Sequence, residues 1–139
     1  MYKRQLIDRG NTQRGIGNSD NGAGDGLTIG GLNAADRNII SGNNEGGASP
    51  NTGDDNWTIQ GNYIGLGATG VTAIPNAQVA GSGALSLDNS NGHVVGGSTN
   101  AAKNVISGNN SHGIAPHNSD NLTISGNYIG CLLYTSRCV

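Results

Sequence analysis

Asn56-Trp57-Thr58-Ile59-Gln60-Gly61-Asn62-Tyr63-Ile64-Gly65 returns near the end of the chain as Asn121-Leu122-Thr123-Ile124-Ser125-Gly126-Asn127-Tyr128-Ile129-Gly130. A shorter relative precedes each copy, Asn38-Ile39-Ile40-Ser41-Gly42-Asn43 and Asn104-Val105-Ile106-Ser107-Gly108-Asn109. All four share an apolar residue, a small polar residue and then Gly-Asn. That pattern reads as a short strand with its Ile turned inward, closed by a sharp corner. Glycine enters the left-handed region freely, and asparagine is one of the few other residues that does. One such unit cannot bury its own apolar face, so repetition points to stacked units that bury it between them.

The numbering step from Ile40 to Ile106 is 66, that from Gly30 to Gly96 also 66, and that from Ile59 to Ile124 is 65. Within each copy the Ile-x-Gly-Asn unit recurs at a shorter step, 19 from Ile40 to Ile59 and 18 from Ile106 to Ile124. The short step approaches one coil of a parallel β-helix, so the long repeat is expected to hold about three coils. The expected fold is all-β, a parallel β-helical solenoid of roughly 4–6 coils.

Composition agrees with a thin-cored solenoid rather than a compact globule. Of 139 residues, 34% are hydrophobic and 12% charged, Phe is absent, and Gly occurs 25 times. Such a chain cannot fill a large core, but a solenoid needs only a narrow internal stack of Ile, Val and Leu. The regular spacing of those residues argues against disorder. No amphipathic helical stretch is present.

The repeat domain is expected over residues 6–130, with long repeats at about 15–65 and 83–130 and a loop at 66–82. Residues 1–5 and 131–139 break the repeat and read as non-native tails. Both cysteines, Cys131 and Cys138, fall in the second tail, so cysteine spacing says nothing of the body. A net charge of −2 without an aromatic-interleaved basic patch argues against nucleic acid as partner. No apolar run is long enough for a membrane span.

Asn-x-Ile-x-Gly-Asn-Tyr-Ile-Gly, the following Ala68-Thr69-Gly70 and Ile74-Pro75-Asn76, and the Gly-Gly…Asn-Val-Ile-Ser-Gly-Asn block together resemble the right-handed parallel β-helix repeat proteins of the pectin-lyase-like group. The resemblance covers roughly residues 15–130. It implies an internal segment of a larger secreted or cell-surface bacterial protein, with flanking coils of the same parent chain as its nearest partners. The fold carries lyases, hydrolases, epimerases, adhesins and spacers alike, so function has to be argued from residues.

The acid pair Asp54-Asp55 is the alternative catalytic centre, since glycoside hydrolysis needs two carboxyl groups flanking the bond. Asn51-Thr52-Gly53-Asp54-Asp55 is similar to the aspartate cluster of polygalacturonase-like enzymes, and Asn91-Gly92-His93 to part of their Gly-His-Gly element. The basic element ending in Lys is missing, and Ser119-Asp120 stands at the equivalent place in the second repeat. An Asp before a strand is ordinarily a turn former. His93, His112 and His117 lack ligand-like spacing and read as loop or turn residues.

No cofactor is expected. Gly22-Ala23-Gly24-Asp25-Gly26-Leu27 is similar to part of a calcium-binding nonapeptide, which makes Asp20 and Asp25 the calcium candidates. A single copy of a motif that works by tandem repetition, against six to eight required oxygen ligands, is thin support. Tyr63 and Tyr128 occupy equivalent positions and are the candidates for stacking on a polysaccharide or cell-surface glycan. Trp57 matches Leu122, which favours packing. Asn38, Asn43, Asn62, Asn104, Asn109 and Asn127 are expected to form side-chain ladders between coils, with Ile40, Ile59, Ile106 and Ile124 stacked inside. The resulting expectation is a non-catalytic structural, adhesive or glycan-facing segment. The alternative is a fragment of a polysaccharide lyase or glycoside hydrolase with Asp54 and Asp55 near its site.

Overall fold

The computed structural model describes residues 10–17, 24–78 and 82–130. Twelve short strands run through them: β1 (Arg14–Gly17), β2 (Thr28–Gly30), β3 (Ile39–Ile40), β4 (Gly46–Ser49), β5 (Thr58–Gln60), β6 (Tyr63–Ile64), β7 (Gly83–Asp88), β8 (Val94–Gly96), β9 (Val105–Ile106), β10 (His112–His117), β11 (Thr123–Ser125) and β12 (Tyr128–Ile129). Every third strand pairs in parallel, giving three four-stranded sheets ordered β1-β4-β7-β10, β2-β5-β8-β11 and β3-β6-β9-β12. This is a right-handed parallel β-helix of four coils, within the range expected.

The coil length differs from expectation. Thr28 pairs with Thr58 and Thr58 with Val94, so one long repeat, from Thr28 to Val94, makes two coils and not three. The short step from Ile40 to Ile59 runs from the third sheet of one coil to the second sheet of the next. What the motif spacing overlooks is the first sheet, whose strands lack the Ile-x-Gly-Asn signature. β4 is Gly-Gly-Ala-Ser. It is small because it lies against large neighbours: a Cβ at Gly47 would stand 3.2 Å from the side chains of both Ile40 and Ile64 and 2.6 Å from the Ala84 carbonyl.

The core is a set of side-chain columns running along the solenoid. Ile29, Ile59, Val95 and Ile124 stack in the second sheet, and Ile40, Ile64, Ile106 and Ile129 in the third. Leu85 and Leu87 enter from the first sheet and are fully buried, as is Trp57. Ile124, expected inside with its three equivalents, is 41% exposed because it sits on the fourth coil with no described coil beyond it.

The corners explain the two-coil period. In the second and fourth coils the second and third sheets are joined by Gly61-Asn62 and Gly126-Asn127 alone. In the first and third coils the same corner swells to residues 31–38 and 97–104, the former holding a single 3-10 turn, Ala34–Asp36. The glycine of each Gly-Asn corner takes the positive φ: Gly42 78°, Gly61 72°, Gly108 69° and Gly126 69°. The longest excursion joins β6 to β7 and contains Pro75. Leu66 pairs antiparallel with Ala73 there and is itself buried.

Candidate functional site

Two asparagine ladders hold the corners. The first runs Asn38, Asn62, Asn104, Asn127, with each amide donating to the next Oδ1 at 3.2, 3.1 and 2.9 Å. The second runs Asn11, Asn43, Asn76, Asn109, at 3.1, 2.8 and 3.1 Å. A central rung shows why asparagine is required. Asn104 Oδ1 accepts the backbone N–H of Asn62 at 2.9 Å as well as its amide, while Asn104 Nδ2 also donates to the Ile59 carbonyl at 2.8 Å. Only a side chain with both an acceptor and two donors can serve those groups together. Among the described residues no buried side-chain nitrogen or oxygen is left without a partner.

All six asparagines expected in ladders occupy them, divided between two columns. Sequence reasoning missed Asn11 and Asn76. Asn76 follows Pro75 instead of Gly, and Ala77 after it takes the positive φ of 57°. The signal that could have found it is its spacing of 33 residues from both Asn43 and Asn109.

Asp54 and Asp55 lie at the corner between the first and second sheets. Asp54 is fully buried: its Oδ1 accepts Gly24 N–H and its Oδ2 accepts Asn51 N–H, each at 2.9 Å. It therefore ties the first coil to the second. Asp55 belongs to a third column. Its N–H donates to Asp25 Oδ1 at 2.7 Å, its Oδ1 accepts Asn91 N–H at 2.6 Å, and Asn91 Oδ1 accepts Asp120 N–H at 2.8 Å. Asp25, one calcium candidate, thus serves the same column. Asp20, the other, lies outside the described residues. Among the described residues no group of three or more His, Cys, Asp or Glu is placed to hold a metal ion.

His93 lies between β7 and β8, outside the strands as expected, but it is buried. It occupies a core column, following Leu27 and Trp57 and preceding Leu122, as the backbone bonds Thr58 to Leu27, Val94 to Trp57 and Thr123 to His93 show. It is fully buried, with its ring edge-on to Trp57 at 6.3 Å. Nδ1 accepts the Trp57 backbone N–H at 3.1 Å, which assigns the ring proton to Nε2, 2.8 Å from Ser90 Oγ. Burial holds this imidazole below its usual range, opposed by the carboxylates of Asp55 and Asp54. Sequence reasoning missed it because histidine replaces an aliphatic residue at only one of four rungs. His112 and His117 bound β10 and are exposed.

Tyr63 and Tyr128 stand outward on the third sheet on either side of Val105. Each carries a cation over its ring. The Arg37 guanidinium lies 4.3 Å from the Tyr63 centroid, and the Lys103 ammonium 5.2 Å from that of Tyr128. Arg37 Nε also donates to the Gly61 carbonyl at 3.0 Å. Both cations stand one residue before the end of the swollen corners of the first and third coils and reach to a glycine, Gly61 or Gly126, on the next coil. The (Arg/Lys)-Asn step before each relative of the opening motif was the available signal.

Fold and surface together define a repetitive parallel β-helical solenoid. No family model, curated protein or solved structure matches the chain. Among the described residues no helix is long and apolar enough to cross a membrane.

Proposed function

We propose that this chain is a non-catalytic structural, adhesive or glycan-facing segment of a secreted or cell-surface β-helical protein of the pectin-lyase-like group. One observation carries the reading: the acid–base groups Asp54 and His93 at the first corner are committed to hydrogen bonds that hold the backbone within and between coils. Asp54 uses both carboxylate oxygens on backbone N–H groups, and His93 uses Nδ1 on another. A general acid or base must be free to reach a substrate proton, and Asp54 and His93 are fully buried.

A polysaccharide lyase or hydrolase fragment is the second reading. It is favoured by the convergence of Asp54, Asp55 and His93 at one corner, close enough that both carboxylates act on the imidazole. Incubation with acidic and neutral polysaccharides, with calcium and with chelator, separates the two. The proposal expects intact polymer throughout. Cleavage that disappears in Asp55→Asn, with the fold retained, contradicts it and places the site at that corner.

A further inference from the structure

Gly26, Asn56, Gly92 and Asn121 each follow a rung of the column Asp25, Asp55, Asn91, Asp120, so they form a column of their own at the corner between the first and second sheets. All four take a positive φ, 71°, 62°, 71° and 57°. Glycine enters that region freely, whereas a residue with a Cβ enters it at a cost that asparagine keeps low. The position faces open space, since a Cβ at Gly26 would meet nothing within 4 Å. Asn56 and Asn121 are exposed, and among the described residues neither side chain makes a hydrogen bond. The ladder asparagines, by contrast, use their amides between coils. Gly92 leaves room for the Asn56 Oδ1, where a Cβ would clash, so it is the oxygen and not Nδ2 that lies against the next coil.

Each of these two residues opens an Asn-x-Thr triplet, Asn56-Trp57-Thr58 and Asn121-Leu122-Thr123. We infer that Asn56 and Asn121 are acceptor sites for an N-linked glycan, transferred from a lipid-pyrophosphate-linked oligosaccharide in a secretory pathway. The inference rests on the secreted form of the proposed function. Nδ2 bonds to C1 of the reducing-end sugar, the bond from C1 to the pyrophosphate oxygen breaks, the lipid pyrophosphate leaves, and the amide gives up one proton. The first triplet is open to a transferase only before folding, because Trp57 is fully buried and Thr58 lies in β5. The fold then decides which glycans it can carry. At Asn56 and Asn121 an exposed amide with no bond to lose carries one without disturbing the corner. The chain has one further Asn-x-Ser/Thr triplet, Asn109-Asn110-Ser111. There Nδ2 of Asn109 donates to the Ile64 and Ser107 carbonyls at 3.1 and 3.2 Å. A sugar on that nitrogen removes a donor from the second ladder and sets bulk between coils, so Asn109 stays bare in folded protein. The other reaction open to an exposed asparagine, loss of its amide through attack by the next backbone nitrogen, is favoured by a following glycine. Trp57 and Leu122 stand there instead.

The test directs the full chain, behind a cleavable leader peptide, into a glycosylating secretory pathway. Occupancy is read by peptide mass after amidase release, which leaves aspartate at each glycosylated position. Folded product should carry glycan at Asn56 and Asn121 and none at Asn109. Asn56→Gly and Asn121→Gly keep the left-handed corner, so each should lose one glycan and leave the melting profile of the unglycosylated chain unchanged. Folded protein bare at Asn56 or Asn121, glycan at Asn109 of folded protein, or a lower melting temperature in either glycine variant each overturns the inference. So does a chain that folds without glycan and fails to fold with it. The leader forces entry, so none of these outcomes depends on where the chain resides in nature. Finding the natural protein only inside the cell would instead overturn the secreted reading, so the two failures are distinct.

Discussion

The second and fourth coils carry nearly the same sequence and bury it very differently. Ile59 and Ile64 are fully buried, whereas their equivalents Ile124 and Ile129 are 41% and 46% exposed. Asn62 is an interior rung that donates both to Asn104 and to the Ile29 carbonyl, while Asn127 is the last described rung of its ladder. The local motif is therefore not what secures either coil. Stability at each position depends on the neighbouring coil, as in other quasi-one-dimensional repeats.

That contrast is broken most forcefully in the core. Ile59→Ala should cost about 2–5 kcal/mol, the range for a large-to-small change at a fully buried site. Ile124→Ala should cost roughly half or less, because much of that side chain already meets solvent. Urea unfolding of both variants checks this. Equal losses would mean that the fourth coil is covered as well as the second.

The ladders give the next largest effect. Asn104→Ala strands the Asn62 N–H and the Ile59 carbonyl, and each unsatisfied buried group costs about 1–3 kcal/mol. Asn127→Ala removes an end rung and should cost less. Thermal melts of the pair measure the difference, and a larger loss at Asn127 would reverse the order of the coils.

His93 sharpens the comparison through pH. Its folded pKa lies below its unfolded value, so the unfolded chain binds a proton more readily. The stabilisation is complete above the unfolded value, about 6.5, and is lost as pH falls through the folded value. Stability measured from pH 8 downward should therefore decline below about 6.5. His93→Leu, which restores the Leu of Leu27 and Leu122, should flatten that part of the acid branch while lowering stability at neutral pH, since Trp57 N–H loses its acceptor. A parent whose stability holds steady through this range would show that His93 is not buried neutral.

The smallest effect is expected on the surface. Arg37→Met removes a partly exposed cation–aromatic contact worth about 0.5–1 kcal/mol. A loss of several kcal/mol would give the pair a structural weight that its exposure does not support.

What was legible in the sequence follows from how each feature is encoded. The parallel solenoid and four ladder residues, Asn43, Asn62, Asn109 and Asn127, are written as recurring Gly-Asn corners, each with a local conformational demand, while Asn38 and Asn104 open the repeated Asn-x-Ile-Ser-Gly-Asn block. The coil length was not legible, because the first sheet is built of Gly, Ala and Ser in β4 and of Leu in β7, with no shared signature. Asn76 lay hidden behind a proline, and Asn11 behind a strand with no repeat partner. His93 is invisible because its place in a core column is set by stacking alone. The cation–aromatic pairs, Arg37 with Tyr63 and Lys103 with Tyr128, join residues far apart in the chain, contacts that exist only once the coil length is known.

The two-coil repeat is the central claim, and cysteine cross-linking tests its register directly. With Cys131 and Cys138 replaced by Ser, two double variants are compared under mild oxidation. Thr58→Cys/Val94→Cys places the thiols on paired residues of adjacent coils, near the roughly 4.4–6.8 Å Cα separation that a disulfide needs. Ile39→Cys/Thr58→Cys joins one Ile-x-Gly-Asn unit to the next, and its two positions would be neighbours only if a single coil were as short as that step. The account predicts rapid intramolecular disulfide formation in the first variant and little in the second. Efficient closure of the second and not the first would contradict the register and the four-coil fold with it.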